Sequence, residues 1–140
     1  MTTYIIDASV AVRWVVDLPH QQEARSLLTF RNRLLAPDFL HAEVGNALTK
    51  LIRGKAVSHA DGMEAYEDFF RAPVHVLPAR PLAHQAMKLA LKSGQSLYDC
   101  LYLSLAISET GLFATADGRF WKAMKATPHA KHIHFIGIDI

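Results

Sequence analysis

Five short apolar runs, separated by segments with helical spacing, limit what this chain can become more than any other feature of it. The runs are Tyr4 to Ile6, Leu34 to Pro37, Val74 to Leu77, Leu112 to Thr115 and His132 to Ile136. Aromatic and β-branched residues suit a pleated surface, and unbroken apolar strands belong to parallel sheets covered on both faces. Strands that alternate with helices along the chain predict an α/β sandwich around a central parallel sheet.

The intervening segments carry their own start and stop signals. Ser9 is placed to cap a helix through about Val16, and Leu18-Pro19 separates it from a second helix over about His20 to Arg31. Asp38 is placed to cap a helix reaching Arg53, which Gly54 ends. Ser58 and Asp61 have capping-box spacing at the head of a helix from about His59 to Arg71, whose tip, Phe69 and Phe70, reads as core. Leu82 to Leu91 reads as a helix with Ala83, Ala86, Met87 and Ala90 on one face, stopped by Gly94. Ser96 and Asp99 repeat the capping-box spacing before an almost wholly apolar helix through about Ser108, stopped by Gly111, and Ala116-Asp117-Gly118 turns into a last helix with Phe120 and Trp121.

With 140 residues, 51% of them hydrophobic, and no low-complexity tract, the chain fits one domain over residues 1–140. The single cysteine, Cys100, has no partner for an internal disulfide, and Met-Thr-Thr-Tyr lacks the basic region of a signal peptide. A cytoplasmic setting is the expectation. No apolar run approaches the roughly 18 residues of a membrane span. The net charge of +2, from 15 basic and 13 acidic residues, permits a nucleic-acid partner without demanding one. Arg31, Arg33, Lys50, Arg53, Lys55, Lys122 and Lys125 are candidates for phosphate contact, although basic residues also gather at helix C-termini for their own stability.

Four acids stand where this pattern would not otherwise need them. Asp7 ends the first strand, and open α/β sheets bind ligands beyond the carboxyl ends of their strands. Glu43 lies within the apolar arc formed by Phe39, Leu40, Val44, Ala47, Leu48, Leu51 and Ile52, where a charge needs a cation or a strong donor. Lys50 is one possible partner. Asp99 sits at the mouth of the apolar helix, and Asp117 follows a strand as Asp7 does. Asp7 and Asp99 each have helix capping as an alternative explanation, and Glu43 that of an edge residue swinging its head to solvent.

If the four share one sheet edge, their mutual repulsion calls for a counterion. Hard oxygen donors without cysteine or an obligatory histidine suit Mg²⁺ or Mn²⁺ rather than Zn²⁺. Such an ion generates a nucleophile from water and stabilises the leaving oxygen of a phosphodiester, so hydrolysis by in-line attack is the expected chemistry. Ser9 and Thr115 are candidate donors that would orient the carboxylates.

These residues resemble a known family along nearly the whole chain. Ile5-Ile6-Asp7-Ala8-Ser9, Glu43 with Asn46-Ala47-Leu48, Leu97-Tyr98-Asp99, and Thr115-Ala116-Asp117 with Phe120 look like the PIN-domain nucleases, particularly the VapC-type toxins. The resemblance implies a three-layer α/β/α sandwich and a site using Mg²⁺ or Mn²⁺. Asp7, Glu43, Asp99 and Asp117 would be the catalytic and metal-holding acids, supported by Ser9 and Thr115. It also implies RNA as substrate, a homodimer, and a cognate antitoxin whose C-terminal segment lies over the site. A PIN nuclease that processes RNA without an antitoxin carries the same motifs.

Two other classes of protein fit the spacing less well. A Mg²⁺-dependent phosphoacceptor signalling module would want adjacent acids after the first strand and a lysine after the last, whereas Asp7 is alone and Asp139 lies in the tail. A non-catalytic RNA-binding module would want aromatic platforms on a sheet face, and the aromatics here read mostly as core. His129, His132 and His134 lack a cysteine or fourth ligand at zinc-site spacing. Ile136 to Ile140 matches no motif.

Overall fold

Ile5 and Ile6 are neighbours on one strand and both are fully buried, so that strand is covered on both faces. In the computed structural model, which describes residues 1–137, they lie on β1 (Thr2–Ile6), the middle strand of a five-stranded sheet. The others are β2 (Asn32–Pro37), β3 (His75–Leu77), β4 (Leu112–Thr115) and β5 (Ile133–Phe135), in the order β3-β2-β1-β4-β5. Every pairing is parallel, with Ile5 opposite Leu35 on one side and Phe113 on the other.

The helices divide between the two faces as the strand pleat requires. On one side α1 (Ala8–Val15), α2 (Gln21–Arg25), α3 (Leu40–Arg53) and α4 (His59–Phe69) pack Val10, Trp14, Val44, Leu48 and Phe69 around Ile6. On the other, α5 (Ala83–Ser93), α6 (Leu97–Ser108) and α7 (Gly118–Met124) pack Ala86, Leu103, Phe120 and Met124 around Ile5. Burial of each large aliphatic side chain stabilises by roughly 1.5 to 3 kcal/mol, so the two cores together hold the three layers. Helix α6 is buried without a break from Cys100 to Ala106, which explains its lack of a polar face. Among the described residues, no helix is long and apolar enough to cross a membrane.

Several local expectations are corrected. Asp7, not Ser9, is the N-cap of α1: its Oδ1 accepts from the amide of Val10, and Ser9 lies one residue inside the helix. The second helix is far shorter than His20 to Arg31, because Ser26 Oγ donates to the carbonyl of Glu23 and Asn32 Nδ2 to that of Leu27, drawing the backbone out of the helix. Asp38 is not the cap of α3: its Oδ1 accepts from the amide of Ala79, and the N-cap position is held by Phe39, which makes no side-chain cap bond. Ser58 and Ser96 do cap α4 and α6, accepting from the amides of Asp61 and Asp99. Phe69 is core but Phe70 is 57% exposed. Gly111 is not the left-handed stop of α6, since Thr110 takes the positive φ. Glycine is needed there because a Cβ would lie 2.8 Å from the carbonyl oxygen of Thr3 on β1.

Candidate functional site

From β1 the chain proceeds outward through β2 to β3, then returns to the opposite side of β1 for β4 and β5. The point of reversal lies between β1 and β4, and a crevice opens at the carboxyl ends of those two strands. Asp7 is the residue after β1, Thr115 is the last of β4, and Asp117 caps α7 two residues on.

Asp7 is buried, and its carboxylate is held from three directions. Thr115 Oγ1 donates to Oδ2 at 2.7 Å, while Ser9 Oγ and the Val10 amide donate to Oδ1. Ser9 Oγ in turn accepts from the amide of Ala116 at 2.9 Å, and Thr115 Oγ1 accepts from that of Asp117 at 3.1 Å. Ser9 and Thr115 therefore tie the start of α1 to the loop after β4, with Asp7 between them. Despite these donors, burial raises the Asp7 carboxyl from 3.8 to about 6, with the nearby charge of Asp99 acting in the same direction.

Glu43 and Asp99 reach the same cleft from opposite helical layers. Its volume is about 250 Å³, and Asp7, Glu43, Asn46, Lys50, Asp99 and Tyr102 are among its lining residues. Glu43, half-buried on α3, accepts from the phenol of Tyr102 at 2.6 Å; Lys50 lines the cleft but forms no ion pair with it among the described residues. Burial raises the carboxyls of both Glu43 and Asp99 above the ordinary range. The charge of Asp99 adds to the rise at Glu43, and that of Asp117 to the rise at Asp99. The charge of Asp99 thus raises the carboxyls of both Asp7 and Glu43.

Asp117 stands apart from the other three. It lies outside the set lining the cleft, and its Oδ1 accepts from the amides of Arg119 and Phe120, so it caps α7 at the rim.

Asp99 and its acidic neighbours raise one another's carboxyls, and among the described residues none of the four acids forms an ion pair, a state that a bound cation relieves. Their oxygens are hard donors, and neither histidine nor cysteine lines the cleft, which fits Mg²⁺ or Mn²⁺. Among the described residues, no three Asp, Glu, His or Cys side chains gather closely enough to enclose an ion by themselves. A Mg²⁺-like ion, which keeps several waters and takes only one or two carboxylates, fits such an open donor set.

Tyr102 is the cleft residue that sequence reasoning misses. Tyr102 falls three residues after Asp99 on a helix, on the same face, and that spacing was the available signal. The exposure of Tyr98, at 55%, also departs from the expectation of buried aromatics: it stands beside Asp99, edge-on to Phe39 with ring centres 5.1 Å apart.

A parallel sheet between two helical layers, with acids converging at its reversal point, defines the class of molecule. Residues 4–125 match the PIN domain, and the chain belongs to that family. A comparison with curated proteins gives no match. Among solved structures, the chain is similar to PAE2754 from Pyrobaculum aerophilum, at 23% identity and a TM-score of 0.64, over 90% of this chain and 89% of that one. It is also similar to VapC20 from Mycobacterium tuberculosis, described as a sarcin-ricin loop cleaving toxin, at 16% identity and a TM-score of 0.63, over 86% and 95% of the two chains. A toxin-antitoxin complex from Klebsiella pneumoniae matches at 9% identity and a TM-score of 0.64, over 98% and 99%. Likeness at these identities is likeness of fold.

Proposed function

We propose that this chain is a Mg²⁺- or Mn²⁺-dependent endoribonuclease and the toxin of a toxin–antitoxin pair. The observation that carries the reading is the buried, triply held Asp7 at the sheet's reversal point, facing a cleft shared with Glu43 and Asp99. Membership of the PIN-domain family supports it, as does the likeness in fold to a toxin described as cleaving the sarcin-ricin loop.

Asp7, Glu43 and Asp99 would hold the ion, with Asp117 at the rim completing the acidic set. The bound ion supplies a nucleophile from water and neutralises charge on a phosphodiester under attack. The chain's own residues orient and select. Thr115 and Ser9 fix both oxygens of Asp7, Tyr102 fixes one oxygen of Glu43, and Lys50 on the cleft wall offers a cation to the RNA backbone.

The partner half of the proposal rests on a second surface. An apolar groove of about 440 Å³, lined by Val12, Leu18, Ala47 and Leu51, continues from the cleft through Ala8, Ser9 and Lys50. An amphipathic antitoxin segment laid in it would end over the acids. Met87 and Leu91 of α5, with Leu97 of α6, are exposed apolar side chains available to a homodimer contact.

The test is incubation of the purified protein with end-labelled structured and single-stranded RNAs, with Mn²⁺ or with EDTA. Cleavage only with metal, leaving 5′-phosphate and 3′-hydroxyl ends, is expected; cyclic-phosphate products or metal-independent cleavage would overturn the mechanism. Expression should arrest growth unless a neighbouring small reading frame is co-expressed. Harmless expression beside intact nuclease activity would favour an RNA-processing role instead.

A further inference from the structure

Tyr102 joins the two acid-bearing helices directly. It lies on α6 three residues after Asp99, so the two side chains share a helical face, and its phenol donates to Glu43 Oε1 of α3 at 2.6 Å. The side chain is 1% exposed, and the ring is fixed by its neighbours. Phe113 of β4 stacks on it at 5.4 Å with planes 9° apart, and Phe39 meets it edge-on at 5.4 Å. A ring held this way aims its hydroxyl at the Glu43 carboxylate.

We propose that Tyr102 is a positioning residue for Glu43: its anchored phenol occupies one carboxylate oxygen, leaves the other to the cleft, and so sets Glu43 against Asp99 for ion binding. The role rests on the metal-dependent reading above. Thr115 and Ser9 likewise hold Asp7, through both of its oxygens, so two acids are held by side-chain hydroxyl donors. Partners that orient a metal-binding side chain affect metal affinity by about 10- to 100-fold when removed.

The phenol reaches Glu43 at the wall of the cleft that both residues line. The Tyr102 ring is packed against Phe39 and Phe113, so deleting its hydroxyl removes the anchored donor to Glu43 Oε1 while the ring and the packing around it stay in place. Tyr102→Phe is therefore a clean removal of the one bond at issue.

The experiment is a double-mutant cycle of Tyr102→Phe and Glu43→Gln, read by Mn²⁺ titration calorimetry, RNA cleavage kinetics and thermal unfolding. Tyr102→Phe is expected to unfold within a few degrees of the parent, to weaken Mn²⁺ binding at least about 10-fold, and to lower kcat while leaving KM for RNA unchanged. In the Glu43→Gln background the same change should weaken Mn²⁺ binding no further, because the phenol acts through the Glu43 carboxylate. Additive losses in the two backgrounds, or Mn²⁺ affinity and kcat within about twofold of the parent, would overturn the role, and so would a Tyr102→Phe protein that fails to fold, since the phenol would then serve the core. Absence of Mn²⁺ binding and cleavage in the parent is a different result: it overturns the nuclease reading itself, and the positioning role with it.

Discussion

Thr115 Oγ1 donates to Asp7 Oδ2 across 2.7 Å, joining the ends of two neighbouring strands that are 108 positions apart in the chain. The bond fixes the most deeply buried acid to the sheet itself. It does not compensate the burial, because the Asp7 carboxyl still stands near 6. Asp7 is therefore held in place at a cost to stability, as expected of a residue kept for its charge.

That cost has a definite pH dependence. Asp7 titrates near 3.8 when unfolded and about 6 when folded, so its favourable contribution is complete below 3.8 and is lost as pH rises through about 6. The difference is worth roughly 3 kcal/mol. Glu43 and Asp99, raised in the same direction, act in the same sense. In EDTA, the melting temperature should be higher at pH 5 than at pH 7.5, and Mn²⁺ should recover stability at the higher pH. A melting temperature that climbs from pH 5 to 7.5 in EDTA would contradict the assignment.

Asp7→Asn removes the charge and keeps the shape. Asparagine caps a helix as well as aspartate does, so α1 should be unharmed. The variant is expected to melt at a higher temperature than the parent at pH 7.5 in EDTA, with a flatter pH profile, and to have no measurable RNA cleavage. Calorimetry at several pH values beside a gel assay checks both halves.

Asp99 is the acid to which the others are electrostatically linked. Asp99→Asn should lower the carboxyl titration points of Asp7 and Glu43, read by side-chain carbon NMR in metal-free protein. It should also reduce cleavage by about 100-fold or more, roughly 2.7 kcal/mol of barrier. Ser96 continues to cap α6, so the fold should persist. Unmoved titration of both neighbours would place Asp99 outside the cluster.

Lys50 and Tyr98 should separate binding from chemistry. Lys50→Ala is expected to raise KM for RNA at low salt and to reduce the salt dependence of binding by about 0.7 in log–log slope, the share of one phosphate contact on a single strand. Tyr98→Ala, removing an exposed ring beside the cleft, should weaken RNA binding by about 1 to 3 kcal/mol if a base stacks there. Fluorescence anisotropy across a salt series distinguishes the two.

Gly111→Ala tests the fold rather than the site. Its Cβ would meet backbone of β1, which cannot swing aside, so a loss of roughly 1 to 3 kcal/mol is expected in chemical denaturation. Gly94→Ala should be destabilised differently: its surroundings are open, and the strain comes from its positive φ of 74°.

The sequence by itself determined the alternation of strands with helices and the layered class that follows from it. Periodicity is local: the apolar runs at Tyr4 to Ile6 and Leu112 to Thr115 can only be strands covered on both faces, and the unrelieved apolar character of Leu97 to Ser108 can only be a helix with no free side. Capping chemistry is also local, which is why Ser58 and Ser96 were legible. It failed at Ser9, where the carboxylate of Asp7 accepts the α1 amide instead, and at Asp38, whose carboxylate accepts from the distant amide of Ala79. Tertiary structure alone decided what surrounds each acid. Asp7 was visible as a strand-end carboxylate, but its bonds from Ser9 and Thr115 depend on β4 lying beside β1. Glu43 was visible as a misplaced charge, yet its partner proved to be Tyr102, 59 positions away, and not the Lys50 of its own helix. Local pattern follows from backbone geometry that repeats within a few residues, whereas the environment of a buried charge is set by whichever distant segments the sheet order brings to its edge.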